Sequence, residues 1–438
     1  MDYKYVEQLI TFIDKSPTPF HVIGNMKQEL DEAGYTQLLE SEEWNLEENG
    51  KYYVIRNGAS IIAFRIPKKD FKGYQIVASH SDFPAFKVKE NPEMKVKDYY
   101  VKLNVEKYGG VYIAPWFDRP LSIAGRVIVK DENVIKTKLV NAERDLVVIP
   151  NLAIHINRSV NEGQPFNIQT EMLPLYGTKV ENGTLLKQMA LEADVEAEHI
   201  IGNDLYLYNR MPGTIWGADR EFYSASRIDN IGCAHSSLKA FLASEGGDSV
   251  PLHCAFDNEE CGSESKHGAA STFLKDILIR INESFGGNES KYRRLLASSF
   301  MLSADNGHAM HPNYADKSCP TNAPLLNEGI VLKFNGNLKY TTDGLTAAVV
   351  DRICANAGVP YQTFIDRSDL QGGYTLGHIS ETQVSLNSAD IGLPQLAMHS
   401  PYETAGVKDV EYMVRTLKTF FQSSVVETGY GEYKVITK

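Results

Sequence analysis

Four apolar runs in this 438-residue chain each finish on side chains able to bind a metal ion. YQIVASHSD ends at His80 and Asp82, LHCAFDNEE at Glu259 and Glu260, SSFMLSAD at Asp305, and LPQLAMHS at His399. A further acid, Asp229, opens a stretch in which Ile231, Ala234, Leu238 and Leu242 fall at roughly helical spacing. Taken singly, each has a bland reading: a surface imidazole, a solvated acidic loop, a helix N-cap, an Asp beginning a turn, a His closing a strand. Together, five nitrogen and oxygen ligands with two spare acids are hard to assemble by accident. Imidazole with carboxylate suits zinc first, then cobalt or manganese, and the lack of cysteine in the set points to an open, catalytic site. Two ions suit this number of ligands better than one. Of the adjacent Glu259 and Glu260, one can bind metal while the other faces the attacking water as a general base.

The elements must bring positions 80 to 399 together. In open α/β sheets, ligands collect just beyond the carboxyl ends of strands, and that is where these side chains fall. The two-residue period of a strand also puts His80 and Asp82 on one face, where a carboxylate can orient an imidazole. Val6, Leu9, Ile10 and Ile13 predict a first helix, which SPTPF stops before a second begins around Val22. YYVIRN, SIIAFRI and YQIVASH read as adjoining strands of a central sheet. From about Glu90 to Phe222 the chain turns rich in Tyr, Asn and Gly, with alternating strands such as AGRVIV and DLVVIP. Apolar strands and helical segments then alternate again, among them VPLHCAF, GAASTFLKDILIRI and GLTAAVVDRICANAG. The expected architecture is α/β, a mixed central sheet flanked by helices. Residues 1–89 and 223–438 form one catalytic domain, split by a mainly β insert at 90–222.

Composition narrows the partners. With 43% apolar and 23% charged residues the chain reads as a packed globular protein, and a net charge of -12 without a basic run disfavours nucleic acid and anionic membrane. Five cysteines without CxxC spacing suit a reducing compartment, as buried small apolar side chains. MDYKYVEQLITFIDK lacks the unbroken apolar stretch of a secretory signal, so a cytoplasmic location is expected.

The segments SPTPFHV, SHSD, WFDR, IPNLAIHINR, SRIDN, DNEECGSES, SADNGHAMHPNY, KFNGNLKYTTD and LAMHS resemble, in that order and over nearly the whole chain, the aspartyl aminopeptidase and aminopeptidase I family of metallopeptidases. The resemblance implies a zinc-exopeptidase type of catalytic domain, an inserted dimerisation domain, and dimers that assemble into a hollow dodecamer. It implies release of single N-terminal residues from peptides. Carried over by position, one metal is held by His80 and Asp305 and the other by Glu260 and His399, with Asp229 bridging, Asp82 orienting His80, and Glu259 as general base. His155, which a strand reading would leave as structural, is implied to reach the active site of a neighbouring subunit. Lys333 breaks the alternation of IVLKFNG, and the resemblance places it with His308 and Tyr340 near the bound residue, where a cationic pocket would favour acidic N-terminal side chains.

Three positions depart from the family pattern. Gly372-Gly373-Tyr374-Thr375 stands where Cys-Gly-Ser-Thr is usual, Tyr402 precedes Glu403 where Arg is usual, and His267 replaces a Gln. These bear on substrate preference, not on the ligands. The rivals are a two-metal peptidase for neutral residues, an acyl-amino-acid hydrolase, and a non-catalytic shell protein, the last having no need of an intact ligand set.

Overall fold

The computed structural model describes residues 2–163 and 165–438. Its first helix, Lys4–Asp14, buries Val6, Leu9, Phe12 and Ile13, one stripe at three- and four-residue spacing. Each such side chain contributes about 1.5–3 kcal/mol relative to exposure. The second, Pro19–Glu32, starts with proline at its first turn, where the missing N–H is no loss.

The central sheet runs in the order Thr36–Gln37, Lys51–Arg56, Ser60–Arg65, Val250–Phe256, Tyr74–His80, Phe300–Ala304, Asn387–Gly392, Ile330–Phe334, Tyr361–Ile365. The four strands from Val250–Phe256 to Asn387–Gly392 are mutually parallel, and Ile330–Phe334 runs against them. The sheet is therefore mixed, as expected. SIIAFRI and YQIVASH, however, are not neighbours: Val250–Phe256 lies between them. All seven of its residues are buried, and a strand apolar on both faces belongs in the interior of a sheet.

Alternation along these strands divides the core. Ala63, Val77, Ala255 and Leu302 face one side with the helices Ile228–Ala243 and Val407–Phe421. Ile62, Ile76, Ala78 and Leu252 face the other, against Phe273–Ser284 and Glu289–Ala297. Both faces are covered, so the carboxyl edge of the parallel strands is where the chain leaves polar groups.

A six-stranded antiparallel sheet is built from strands between Ala85–Val96 and Ile200–Asn209, these two at its centre and Leu121–Asp131 beside Ile200–Asn209. AGRVIV lies within Leu121–Asp131, but DLVVIP makes only isolated bridges through Val147, Val148 and Ile149. Pro150 follows directly and has no N–H to extend a ladder. Residues Thr214–Trp216 pair instead into a five-stranded sheet with Phe222–Ala225, Glu403–Gly406, Pro394–Leu396 and Gly307–His308. Of the cysteines, Cys233, Cys254 and Cys354 are buried as expected, whereas Cys261 is exposed and Cys319 partly so; all five are free. No helix among the described residues is long and apolar enough to cross a membrane.

Three histidines are buried or half-buried in this scaffold. Burial drives His235 and His253 down to about 3, and His21 to about 4. Their unfolded pKa lies near 6.5, so the unfolded chain binds more protons between about pH 6.5 and 4. Their contribution is complete above pH 6.5 and drains away as the pH falls through that window, by up to about 1.4 kcal/mol per histidine per pH unit. Measured from pH 7 to 5, the urea midpoint of His253→Gln, a neutral replacement, should gain on that of the wild type, because the variant lacks this loss.

Candidate metal centre

His80 is the last residue of Tyr74–His80, and its register partner is Phe256 on the adjacent parallel strand. Beyond Phe256 the chain makes a tight turn, Glu259–Cys261, entered through Asn258 at φ 65°. Asp305 follows directly on Phe300–Ala304. The five-stranded sheet supplies the rest. Asp229 lies in the first turn of Ile228–Ala243 with non-helical φ -82°, ψ 109°. His399 sits three residues past the strand Pro394–Leu396 at φ 68° rather than closing it.

Asp229 stands between the two imidazoles. Its Oδ1 is 3.6 Å from His80 Nε2 and its Oδ2 is 3.6 Å from His399 Nε2. His80 Nε2 is also 3.5 Å from Asp305 Oδ1, and His399 Nε2 is 3.3 Å from Glu260 Oε2. Two ligand atoms bound about 2.1 Å from one tetrahedral zinc lie roughly 3.4 Å apart. Ligand atoms within 4.8 Å of one another form three overlapping groups: His80, Asp229 and Asp305; Asp229, Glu260 and His399; His80, Glu259 and Glu260.

The neighbours aim these ligands. His80 Nδ1 is 3.0 Å from the Asp82 carbonyl and 3.3 Å from its carboxylate, and His399 Nδ1 is 2.9 Å from the Gly110 carbonyl. An N–H donated at Nδ1 leaves the Nε2 lone pair facing the centre in both rings. Asp82 lies beyond the end of its strand, fully buried, and accepts from Tyr108 Oη at 2.6 Å and from the backbone N–H groups of Glu259 and Glu260 at 3.1 and 3.2 Å. Glu403 does the corresponding work on the other side, accepting from the N–H of Asp229 at 3.0 Å and of His399 at 2.8 Å.

The charges confirm how crowded the centre is. Burial pushes Glu259 up to about 8 and raises Glu260 and Glu403 well above the usual carboxylate range, with neighbouring acids adding to each. Burial alone would lower His80, but the carboxylates of Asp229, Asp305 and Asp82 raise it well above an ordinary imidazole. Burial would likewise raise Asp305, yet Lys333 and His80 hold it at about 2. Asp229 Oδ1 is buried without a hydrogen-bond partner. An orphaned carboxylate oxygen among nitrogen and oxygen donors, in a field that favours positive charge, fits a bound divalent cation.

These ligands line a cavity of about 280 Å³ that also includes Lys333, His308 and Tyr340. The Lys333 ammonium donates to the Asn306 carbonyl at 2.6 Å and lies 5.3 Å over the Tyr340 ring. His155 is not in this cavity. It lies on an exposed turn, not in a strand, beside Leu152, Ile154 and Ile156, which are 58%, 48% and 75% exposed.

Sequence reasoning missed Tyr108, Gly110 and the anchoring role of Glu403. The pair Gly109-Gly110 was the available signal. A Cβ on Gly110 would fall 2.9 Å from His399 Nδ1, and Gly109, at φ 72°, would place one 2.9 Å from Glu260 Cβ. Of the departures from the family pattern, Tyr374 lines the cavity, Tyr402 donates to the Pro212 carbonyl, and His267 lies 3.1 Å from Asp257.

Comparison with known proteins identifies relatives of the chain. Residues 12–421 match the family model described as aminopeptidase I zinc metalloprotease (M18). A curated protein of Clostridium acetobutylicum, named probable M18 family aminopeptidase 2, is 44% identical over 428 residues, covering 96% of this chain and 99% of its own. Among solved structures, that of the Ape4 and Nbr1 complex superposes with a TM-score of 0.93 at 34% identity, covering 96% of this chain and 86% of the other. The structure of the S. cerevesiae mApe1 dodecamer gives 0.84 at 28% identity, with 96% of each chain covered. With its family model spanning nearly its full length, and with an imidazole and carboxylate centre at the carboxyl ends of its strands, the chain belongs to the M18 family of zinc metalloaminopeptidases.

Proposed function

We propose that this aminopeptidase works with two divalent ions, one held by His80 and Asp305 and the other by Glu260 and His399, with Asp229 shared between them. The observation that carries this reading is the placement of Asp229, one carboxylate oxygen 3.6 Å from each imidazole. A pair of such ions supplies Lewis acidity toward the scissile carbonyl and lowers the pKa of the attacking water. Zinc is the first expectation, with cobalt and manganese suited to the same donors.

Glu259 is the general base. It is buried beside the ligands, and Asp82 fixes its backbone N–H. Its carboxylate takes the proton from the water and passes it to the leaving amine. It also falls in one of the three ligand groups, and its assignment as base rests on Glu260, not Glu259, facing His399 at 3.3 Å. Asp82 orients His80. The carboxylate-rich floor attracts the free α-amine of a peptide, which sets cleavage at one residue from the N-terminus.

Lys333, the one Lys or Arg lining the cavity among the described residues, supports a preference for acidic N-terminal side chains, with His308 and Tyr340 beside it. Phe364, Tyr374 and Met398 line the same space and favour the rival neutral preference. The unit at 90–222 serves dimerisation, and dimers build a dodecamer like that of the mApe1 relative. The exposed Leu152, Ile154 and Ile156 support burial of their turn against a second copy, which carries His155 toward that copy's centre. Five free cysteines suit the cytoplasm.

Glu259→Gln should keep its metal content and lose roughly two to four orders of magnitude in turnover. Near-normal kcat in the metal-replete variant would remove Glu259 from the mechanism. Asp229→Asn should lower the affinity for both ions, read by elemental analysis after gel filtration; two tightly held ions per chain would contradict a shared ligand. A panel of Asp, Glu, Leu and N-acetylated reporter substrates, assayed before chelation and after zinc is restored, should show metal-dependent release with kcat/KM highest for Asp and Glu. Preference for Leu would assign the cavity to neutral residues, and turnover of the N-acetyl forms would indicate a deacylase.

A further inference from the structure

Asp390 lies in the interior strand Asn387–Gly392, with no accessible surface. A carboxylate in the core of a sheet is costly unless its oxygens are occupied. It belongs to none of the ligand groups of the metal centre, so the mechanism leaves it without a role.

Its partners reveal one. Oδ2 accepts from the Thr341 backbone N–H at 2.6 Å and from the Thr341 hydroxyl at 2.8 Å, while Oδ1 accepts from the Thr375 hydroxyl. The two threonines belong to separate connections. One leads from the strand Ile330–Phe334 to the helix Gly344–Ala357, and the other from Tyr361–Ile365 to Leu376–Glu381. Each threonine directly follows a tyrosine that lines the metal-bearing cavity, Tyr340 and Tyr374. A second tie joins the connections: Lys339 Nζ donates to the Gly372 carbonyl at 2.7 Å.

We infer that Asp390 is a positioning residue for substrate, its carboxylate clamping the two connections so that Tyr340 and Tyr374 form a fixed wall of the cavity that holds the metal ligands. The inference rests on the reading of this cavity as the peptide site. It assigns to Tyr374, where this chain departs from the family pattern, a contact with the N-terminal residue of the substrate. Because the clamp touches neither the ligands nor Glu259, its loss loosens the wall and weakens substrate binding while the chemical step proceeds.

The test compares Thr375→Val, which keeps the shape and removes the hydroxyl, with Thr375→Ser, which keeps the hydroxyl, on the full-length zinc-loaded enzyme. Thr375→Val should raise KM for the best reporter peptide about tenfold, the scale of one hydrogen bond to a charged acceptor. Its kcat should stay within about twofold, and Thr375→Ser should restore KM. Lys339→Met, a cut of the half-buried second tie, should raise KM in the same direction and decides the matter should the valine variant fail to fold. An active wild type with unchanged KM in the variants, or a loss of melting temperature alone, would overturn the inference and leave the function standing. A wild type that hydrolyses none of the peptides would overturn both.

Discussion

The carboxylates of Asp229, Glu259, Glu260 and Asp305 share one buried cavity, and like charges at that density do not stay in a folded chain without compensation. His80 and Lys333 compensate in part, as the depressed Asp305 shows. The rest must come from a cation, from protons, or from loosening of the fold. Burial and mutual repulsion lift Glu259 and Glu260 in the direction of protonation. The same field that favours a proton there favours a dication more, since one ion neutralises several oxygens at once. Metal affinity and the instability of the empty cavity are thus one property.

Such a cavity survives only if its ligands cannot swing apart, and the backbone supplies the restraint. Asp82 takes two consecutive N–H groups, at Glu259 and Glu260, and Glu403 takes those of Asp229 and His399. Each buried carboxylate fixes main chain, so the ligand side chains start from fixed backbone positions and have only their own side-chain torsions left to lose. These anchors are themselves acids beside acids, and Glu403 is raised by burial and by Asp229. They are tolerable because N–H donors fill their oxygens.

Much of this could be read from residue order. Runs such as YQIVASH and VPLHCAF are apolar on both faces because the sheet is covered on both, and a polar residue at their ends has nowhere to go but the carboxyl edge. Strand order was not legible in the same way. Val250–Phe256 enters between Ser60–Arg65 and Tyr74–His80 from nearly two hundred residues away, and local patterning carries no trace of such a crossing. Nor were the contributions made by main chain. The Gly110 carbonyl that orients His399 has no side-chain signature beyond the glycine that lets it approach, and Glu403 at the start of a short strand looks like any other acid. His155, by contrast, is exposed within one chain, and nothing in the residue pattern singles it out.

The six-stranded sheet also reaches the candidate metal centre. Tyr108 ends its strand Tyr100–Tyr108 and donates to Asp82 at 2.6 Å while accepting from Asn258 Nδ2 at 2.9 Å, and Gly110, two residues on, accepts from His399. One short segment of the inserted sheet thus braces both halves of the metal centre, the Glu259–Glu260 turn through Asp82 and the second imidazole directly. A force that shifted this sheet against the central one would be felt first at His399 and at the acidic turn. Whatever holds the six-stranded sheet in place therefore also holds these side chains, through a single β-strand and two glycines.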